Sequence, residues 1–314
     1  MRTIFLGTSE FAAAILGRLA ESGHSPQLVL TRPDRPRGRG RKVLAPPVAQ
    51  RAQALGIAVE QPASVNDPAV CEMTERAEPE VLVVCAFGAL IKEPLLSAHP
   101  LLNVHPSLLP RWRGAAPIER AIIAGDPETG VSIMRLVEGL DSGPVCAAAR
   151  ERIAPGDTYG SLAERLWALG GELLVGVLDR WEGGEPPAFV EQKKLGATYA
   201  EKIAPEDRLL DPARPTAELE RRVRALHPHI GARVALADGT VLGVHRAKVL
   251  AGGSAEGLAE GSADGLAEPP AGQLMGNGGR LLYGTGEGAL ELECVQPPGG
   301  RPMAAAAYLR GHAL

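Results

Sequence analysis

Aromatic residues are only 4% of this 314-residue chain, cysteine occurs four times, and no hydrophobic run is long. Each scarcity excludes something. Cys71, Cys85, Cys146 and Cys294 form no C-x-x-C pair, so neither a disulfide framework nor a zinc site is expected, and a reducing compartment is. The longest apolar run, from Val81 to Ile91, falls short of the roughly 20 residues that cross a bilayer. The start, MRTIFLGTSEF, meets Glu10 before any apolar stretch reaches signal length. These features predict a cytoplasmic protein with no membrane partner. Glycine-rich nucleotide signatures are missing too. The turn Gly7-Thr8-Ser9 has one glycine where a dinucleotide fingerprint has three, and no G-x-x-x-x-G-K-[ST] occurs, which argues against nicotinamide, flavin and P-loop nucleotides.

What is present describes a folded chain with room for two domains: 45% of the residues are hydrophobic and 22% charged, enough for a sizeable buried core. The formal charge is only −4, so a polyanion would have to be held by a local basic cluster.

Residues 2–6 read as a buried strand and Glu10 to Ala20 as a helix, followed by strands near 27–31, 57–59, 81–85 and 101–105 and a helix near 47–55. A helix near 118–124, strands near 131–137 and 144–150, and a helix across 162–178 complete a first domain ending near residue 185. Strands alternating with helices predict an α/β fold with a doubly wound, Rossmann-like parallel sheet, whose carboxyl edge is the usual place for a ligand. The Pro- and Lys-rich stretch 186–211 reads as a linker. From 212 to 314 one short helix, Glu218 to Leu226, precedes short strands separated by Asp238-Gly239 and by Gly284, Gly286 and Gly288, a pattern predicting a small β-barrel of the OB-like kind. Within it an acidic eight-residue unit is given twice, at 254–269. Two copies are too few for a solenoid, so this segment reads as a loop insert.

Three stretches carry polar chemistry. Asn103 and His105, two apart at the end of a predicted strand, share one face. An amide and an imidazole side by side can stabilise an oxyanion forming on a carbonyl, and such a pair can equally be a satisfied polar closure of a strand. Asp141, in Gly139-Leu-Asp-Ser-Gly-Pro144, can orient an imidazole or simply bond its own turn. The run from Arg32 to Lys42 holds five net positive charges in eleven residues and is rich in Pro and Gly. It reads as a flexible loop, and as the strongest local attraction for nucleic-acid phosphate. A weaker basic patch, Arg221, Arg222 and Arg224 with His227 and His229, also fits the solvated face of a helix.

The strings GTSEFA at 7–12, RPDRPRGRGRK at 32–42, NVHPSLLPRWRGAAPI at 103–118, AGDPETGVSIM at 124–134, GLDSGPV at 139–145 and TYAEKI at 198–203 together resemble the methionyl-tRNA formyltransferase family. The likeness runs in order to about residue 250. It implies transfer of a formyl group from 10-formyltetrahydrofolate to the α-amino group of methionine carried by initiator tRNA. It also implies that Asn103 and His105 bind the formyl oxygen and stabilise the tetrahedral intermediate, while Asp141 assists proton transfer. By the same resemblance Ser107, Leu108, Leu109 and Pro110 contact folate. Arg35, Arg37, Arg39, Arg41 and Lys42 reach the tRNA, with Arg39 at its acceptor end, and the C-terminal domain grips the acceptor stem. A monomer working without metal is expected. The rival readings are a formyltransferase for a small amine, a non-catalytic tRNA- or folate-binding protein, and a hydrolase releasing formate. The basic run disfavours the first, since a small acceptor gives no reason for a mobile polycation.

Overall fold

The computed structural model describes residues 1–37, 42–236, 238–250 and 268–312. The tip of the basic run, 38–41, and most of the acidic insert lie outside them. The chain divides into two compact units. One comprises Met1–Pro117, Glu128–Arg152 and Ala163–Glu201, the other Ile118–Pro127, Ile153–Leu162 and Lys202–Leu314.

In the first half of the chain the elements run β1 (Thr3–Gly7), α1 (Glu10–Ala20), β2 (Leu28–Leu30), β3 (Arg35–Arg37), β4 (Lys42–Leu44), α2 (Pro47–Ala54), β5 (Ala58–Glu60), α3 (Pro68–Arg76), β6 (Val81–Cys85), α4 (Leu95–Ala98) and β7 (Leu101–His105). There follow β8 (Arg113–Gly114), α5 (Pro117–Ala124), β9 (Glu128–Arg135), β10 (Val145–Arg152), α6 (Tyr159–Glu182) and β11 (Tyr199–Ala200). β1, β6 and β7 are buried along their whole length, which is why their sequences are continuous apolar runs rather than alternating ones. Ser9 starts α1 by accepting the Ala12 N–H on its hydroxyl.

Seven strands form the central sheet in the order β10-β9-β7-β6-β1-β2-β5. The first five in sequence order (β1, β2, β5, β6, β7) pair in parallel. β9 runs antiparallel to β7, and β10 to β9. The sheet is therefore mostly parallel rather than wholly so, because a buried strand's side chains do not encode its direction. One face packs Ile4, Leu6, Leu30 and Leu82 against Val70 of α3 and Leu95 of α4, each fully buried aliphatic side chain contributing about 1.5–3 kcal/mol. On the other face Gly170 of α6 lets that helix close on Ile15 and Val104.

The segment expected as a linker divides. Up to Glu201 it belongs to the first unit, where Val190 bridges Val145 and β11 pairs with β8. Gly114 permits that pairing, since a Cβ there would stand 2.7 Å from the Ala200 carbonyl. The basic run is not simply a flexible loop either: β3 and β4 form an antiparallel hairpin.

The second unit holds α7 (Thr216–Leu226), β12 (Ala232–Ala235), β13 (Val241–Val249), β14 (Leu274–Asn277), β15 (Arg280–Thr285), β16 (Gly288–Gln296), β17 (Met303–Ala304) and α8 (Ala305–Gly311). Its strands make a separate six-stranded antiparallel sheet. Leu219, Val223 and Leu226 of α7 share a core with Val234, Leu242, Leu281, Leu290 and Leu292. The buried Tyr283 hydroxyl donates to the Leu210 carbonyl.

Candidate active site

β1 and β6 are neighbours whose onward connections leave in opposite directions across the sheet, toward β2 on one side and β7 on the other. Such a switch point opens a crevice at the carboxyl ends of the strands. A cavity of about 620 Å³ lies there, lined by Ser9, by the turn 86–91 after β6, by Asn103, His105 and Pro106, by Gly114 and Ala115, and by the loop 136–141. All of these belong to the first unit.

Asn103 and His105 are 7% and 4% exposed and point to the same face of β7, as their spacing predicts. Asp141 meets both. Its Oδ1 accepts from Asn103 Nδ2 at 3.3 Å, and its Oδ2 lies 3.6 Å from His105 Nδ1 and accepts the Gly114 N–H at 2.8 Å. Asp141 has φ 43°, the left-handed region that aspartate tolerates better than most residues. The other imidazole nitrogen, Nε2, is 2.9 Å from the Trp112 carbonyl. A carbonyl can only accept, so Nε2 carries the hydrogen and Nδ1, on the Asp141 side, is the nitrogen that can exchange a proton. Trp112 itself is held at φ 61°, its N–H donating to Thr198 Oγ1 at 2.9 Å.

The stretch 107–110 forms the turn behind this pair and is not among the residues lining the cavity. Ser107 is fully buried and donates to the Arg111 carbonyl at 2.6 Å. Ser132 Oγ ties the turn down, donating to the Ser107 carbonyl and accepting the Leu109 N–H. The turn 86–91, which does line the cavity, carries no polar signature that a sequence reading could single out.

A smaller cavity of about 290 Å³ is lined by Thr8, Arg32, Arg35 and Leu44, and shares Ser9, Ala86, Phe87 and Gly88 with the first. Arg35 and Lys42 on the hairpin are exposed. Arg39 and Arg41 fall outside the described residues, and only the backbone of Arg37 is described.

The second basic patch is built differently. Arg221 Nε donates to the Ile123 carbonyl, Arg222 donates to the Asp207 carbonyl and to Glu218, and Arg224 donates to Glu220 and the Asp157 carbonyl. Burial alone would raise the Asp207 carboxyl, but the Ala204 N–H with Arg120 and Arg222 holds it below the usual carboxylate range. His229 pairs with Glu119 at 2.9 Å and stacks on Tyr159. Burial, reinforced by His245, Arg246 and His229, pushes the His227 imidazole down, so it adds no positive charge at neutral pH.

Comparison with known proteins places the chain. Residues 1–178 match the family model described as formyl transferase, and residues 202–313 match that of the formyl transferase C-terminal domain. Methionyl-tRNA formyltransferase of Methylococcus capsulatus is 42% identical over 100% of this chain and 98% of the relative, and that of Phenylobacterium zucineum has the same identity and coverage. Among solved structures, HypX from Aquifex aeolicus in complex with tetrahydrofolic acid superposes with a TM-score of 0.63 at 17% identity, covering 98% of this chain and 47% of HypX. The chain thus spans about half the length of HypX. An N-formyltransferase from Helicobacter canadensis, in complex with folinic acid and dTDP-3-aminofucose, gives 0.63 at 14% identity, covering 93% of this chain and 98% of that one. At such identities the likeness is one of fold. Full-length identity above 40% and both family models show that the chain belongs to the formyl transferase family, among the methionyl-tRNA formyltransferases.

Proposed function

We propose that this protein transfers a formyl group from 10-formyltetrahydrofolate to the α-amino group of methionyl initiator tRNA, giving N-formylmethionyl-tRNA for translation initiation in the cytoplasm, and that it works as a monomer. The observation that carries the chemistry is the convergence of Asn103, His105 and Asp141 on one cavity from a strand end and a separate loop.

An uncharged amine attacking a formyl carbon needs positioning and stabilisation of the developing oxyanion more than acid or base strength. Asn103 Nδ2 supplies a donor for that oxygen, and His105 Nδ1 becomes a second once it has taken up a proton. The amine loses a proton as its new C–N bond forms, and the nitrogen that leaves gains one. His105 Nδ1 beside Asp141 is placed to hold the proton between those events. The 620 Å³ cavity, apolar along 86–91 and edged by the Asn103–His105–Asp141 cluster, suits a flat heteroaromatic co-substrate of folate size. That co-substrate supplies an activated formyl group. Ser107, Leu108, Leu109 and Pro110 are assigned to it through the turn they form directly after His105.

For the acceptor, the smaller cavity leads from the shared residues Ser9 and Phe87 to Arg32 and Arg35, so an aminoacyl end bearing phosphates can approach along the basic hairpin. Arg35, Arg37, Arg39, Arg41 and Lys42 are its phosphate partners in this reading. The C-terminal antiparallel sheet, as an OB-like barrel, holds the acceptor stem. The test is product analysis: formyl transfer to charged initiator tRNA, beside free methionine and an amino-sugar nucleotide. Formylmethionine on the tRNA alone is expected. Transfer only to a small amine would overturn the assignment of the hairpin and keep the chemistry.

A further inference from the structure

Gln192 lies in the stretch that sequence alone assigns to a linker, and its side chain makes four hydrogen bonds with nitrogen and oxygen partners around the site. Its amide nitrogen donates to the Asp141 carbonyl at 2.9 Å and to the Gly143 carbonyl at 2.7 Å. Its amide oxygen accepts from Arg113 Nε at 3.0 Å and Nη2 at 2.7 Å. An amide is the uncharged group that can donate twice and accept twice at once. Arg113 is 9% exposed, and its neighbour Gly114 donates its N–H to the Asp141 carboxylate. These bonds close a ring: Asp141 main chain, Gln192, Arg113, Gly114, and back to the Asp141 carboxylate.

The ring fixes a backbone that would otherwise relax. Asp141 sits at φ 43°, a conformation that persists only when its surroundings over-determine it. Two residues on, Gly143 passes so close to the Arg135 carbonyl that a Cβ would overlap it. With its main chain clamped there and its Oδ2 held by Gly114, the carboxylate stands 3.6 Å from His105 Nδ1. The same stretch also holds the opposite side of the imidazole, since Thr198 Oγ1 accepts the N–H of Trp112, whose carbonyl faces Nε2.

We propose that Gln192, braced by Arg113, is a positioning residue that sets Asp141 against His105, so that the connecting segment 190–200 is part of the catalytic apparatus. The proposal rests on the formyl-transfer reading for its kinetic consequence and on geometry alone for its spectroscopic one. It follows that the site depends on a segment about fifty residues beyond Asp141 in the chain that does not line the cavity.

The informative substitution is Gln192→Glu, which keeps the acceptor for Arg113 but sets a carboxylate against two carbonyl oxygens. For formyl transfer to methionyl-tRNA, kcat is expected to fall about 10- to 100-fold, with KM for both substrates within about two-fold, as for an interaction expressed in the transition state. In an Asp141→Asn background the same change should cost less than about two-fold, because the residue it positions has already lost its role. Nitrogen-15 NMR of the His105 ring gives a readout independent of turnover: the Nδ1 signal should move in Gln192→Glu while Nε2, still facing Trp112, stays. Should Gln192→Glu fail to fold, Arg113→Lys keeps the charge but loses the two-pronged donor and should show the same pattern. Losses that add in the double mutant, or an unchanged Nδ1 signal in a folded variant, overturn the proposal. If the wild-type protein formylates no methionyl-tRNA, the functional reading fails and the Nδ1 signal alone decides the role of Gln192.

Discussion

Two arginine-rich stretches of this chain look alike in sequence and behave as opposites in the fold. Around residues 32–42, Arg35 and Lys42 stand exposed on a hairpin beside a cavity that adjoins the candidate active site. On α7, Arg221, Arg222 and Arg224 direct donors at carbonyls of Ile123, Asp207 and Asp157 and at carboxylates of Glu218 and Glu220. A guanidinium has five N–H groups in a fixed fork, and what it can do for a partner depends on how many are already taken. The hairpin offers its charge outward. The helix uses its charge to fasten the excursions 118–127 and 153–162 to the rest of the second unit. Local charge density therefore identifies a candidate interface only after the donors have been traced.

That contrast can be broken or sharpened by substitution. The largest effect belongs to the candidate site beside the hairpin: Asn103→Ala should lower kcat by about 100- to 1000-fold, the range for losing one oxyanion donor, in a steady-state assay with charged initiator tRNA. Replacing Arg39 with Ala should come next. It should raise the KM for tRNA and reduce the slope of log affinity against log salt by roughly one for each phosphate no longer neutralised, with folate binding intact. Arg222→Ala should do the reverse. Urea unfolding should show a destabilisation of about 2 kcal/mol, from charge-assisted bonds removed at a mostly buried site, while the tRNA salt slope stays put. A changed slope in Arg222→Ala, or none in Arg39→Ala, would erase the distinction between the two stretches. The smallest effect is expected for deleting 254–269: kcat within about two-fold and stability within about 0.5 kcal/mol. A larger loss would make the insert part of the second unit's core or of the tRNA site.

Much of the site was legible because strand geometry is simple. Two residues separated by one on a strand must share a face, so Asn103 and His105 declare themselves, and a Gly-flanked Asp141 is a natural third member. The resemblance to formyltransferases then supplied the reaction and the acceptor, which spacing cannot. Other features carried no local signal. β9 is buried from Thr129 to Met134 as the parallel strands are, but runs antiparallel to β7. The hairpin β3–β4 contains Pro36 and is short, so Pro and Gly content pointed to a loop. Gln192 sits among Glu, Lys and Pro without apolar period, and its importance lies in long-range hydrogen bonds that no pattern along the chain foretells.

The most direct test is single-turnover formyl transfer with tRNA and 10-formyltetrahydrofolate both saturating, comparing the wild-type protein with His105→Ala. The account predicts that the variant binds charged initiator tRNA as the wild type does and transfers the formyl group about 100- to 1000-fold more slowly. Transfer at a near-normal rate by a folded His105→Ala protein would contradict it, because the cavity at the carboxyl edge of the sheet would then not be where the reaction takes place.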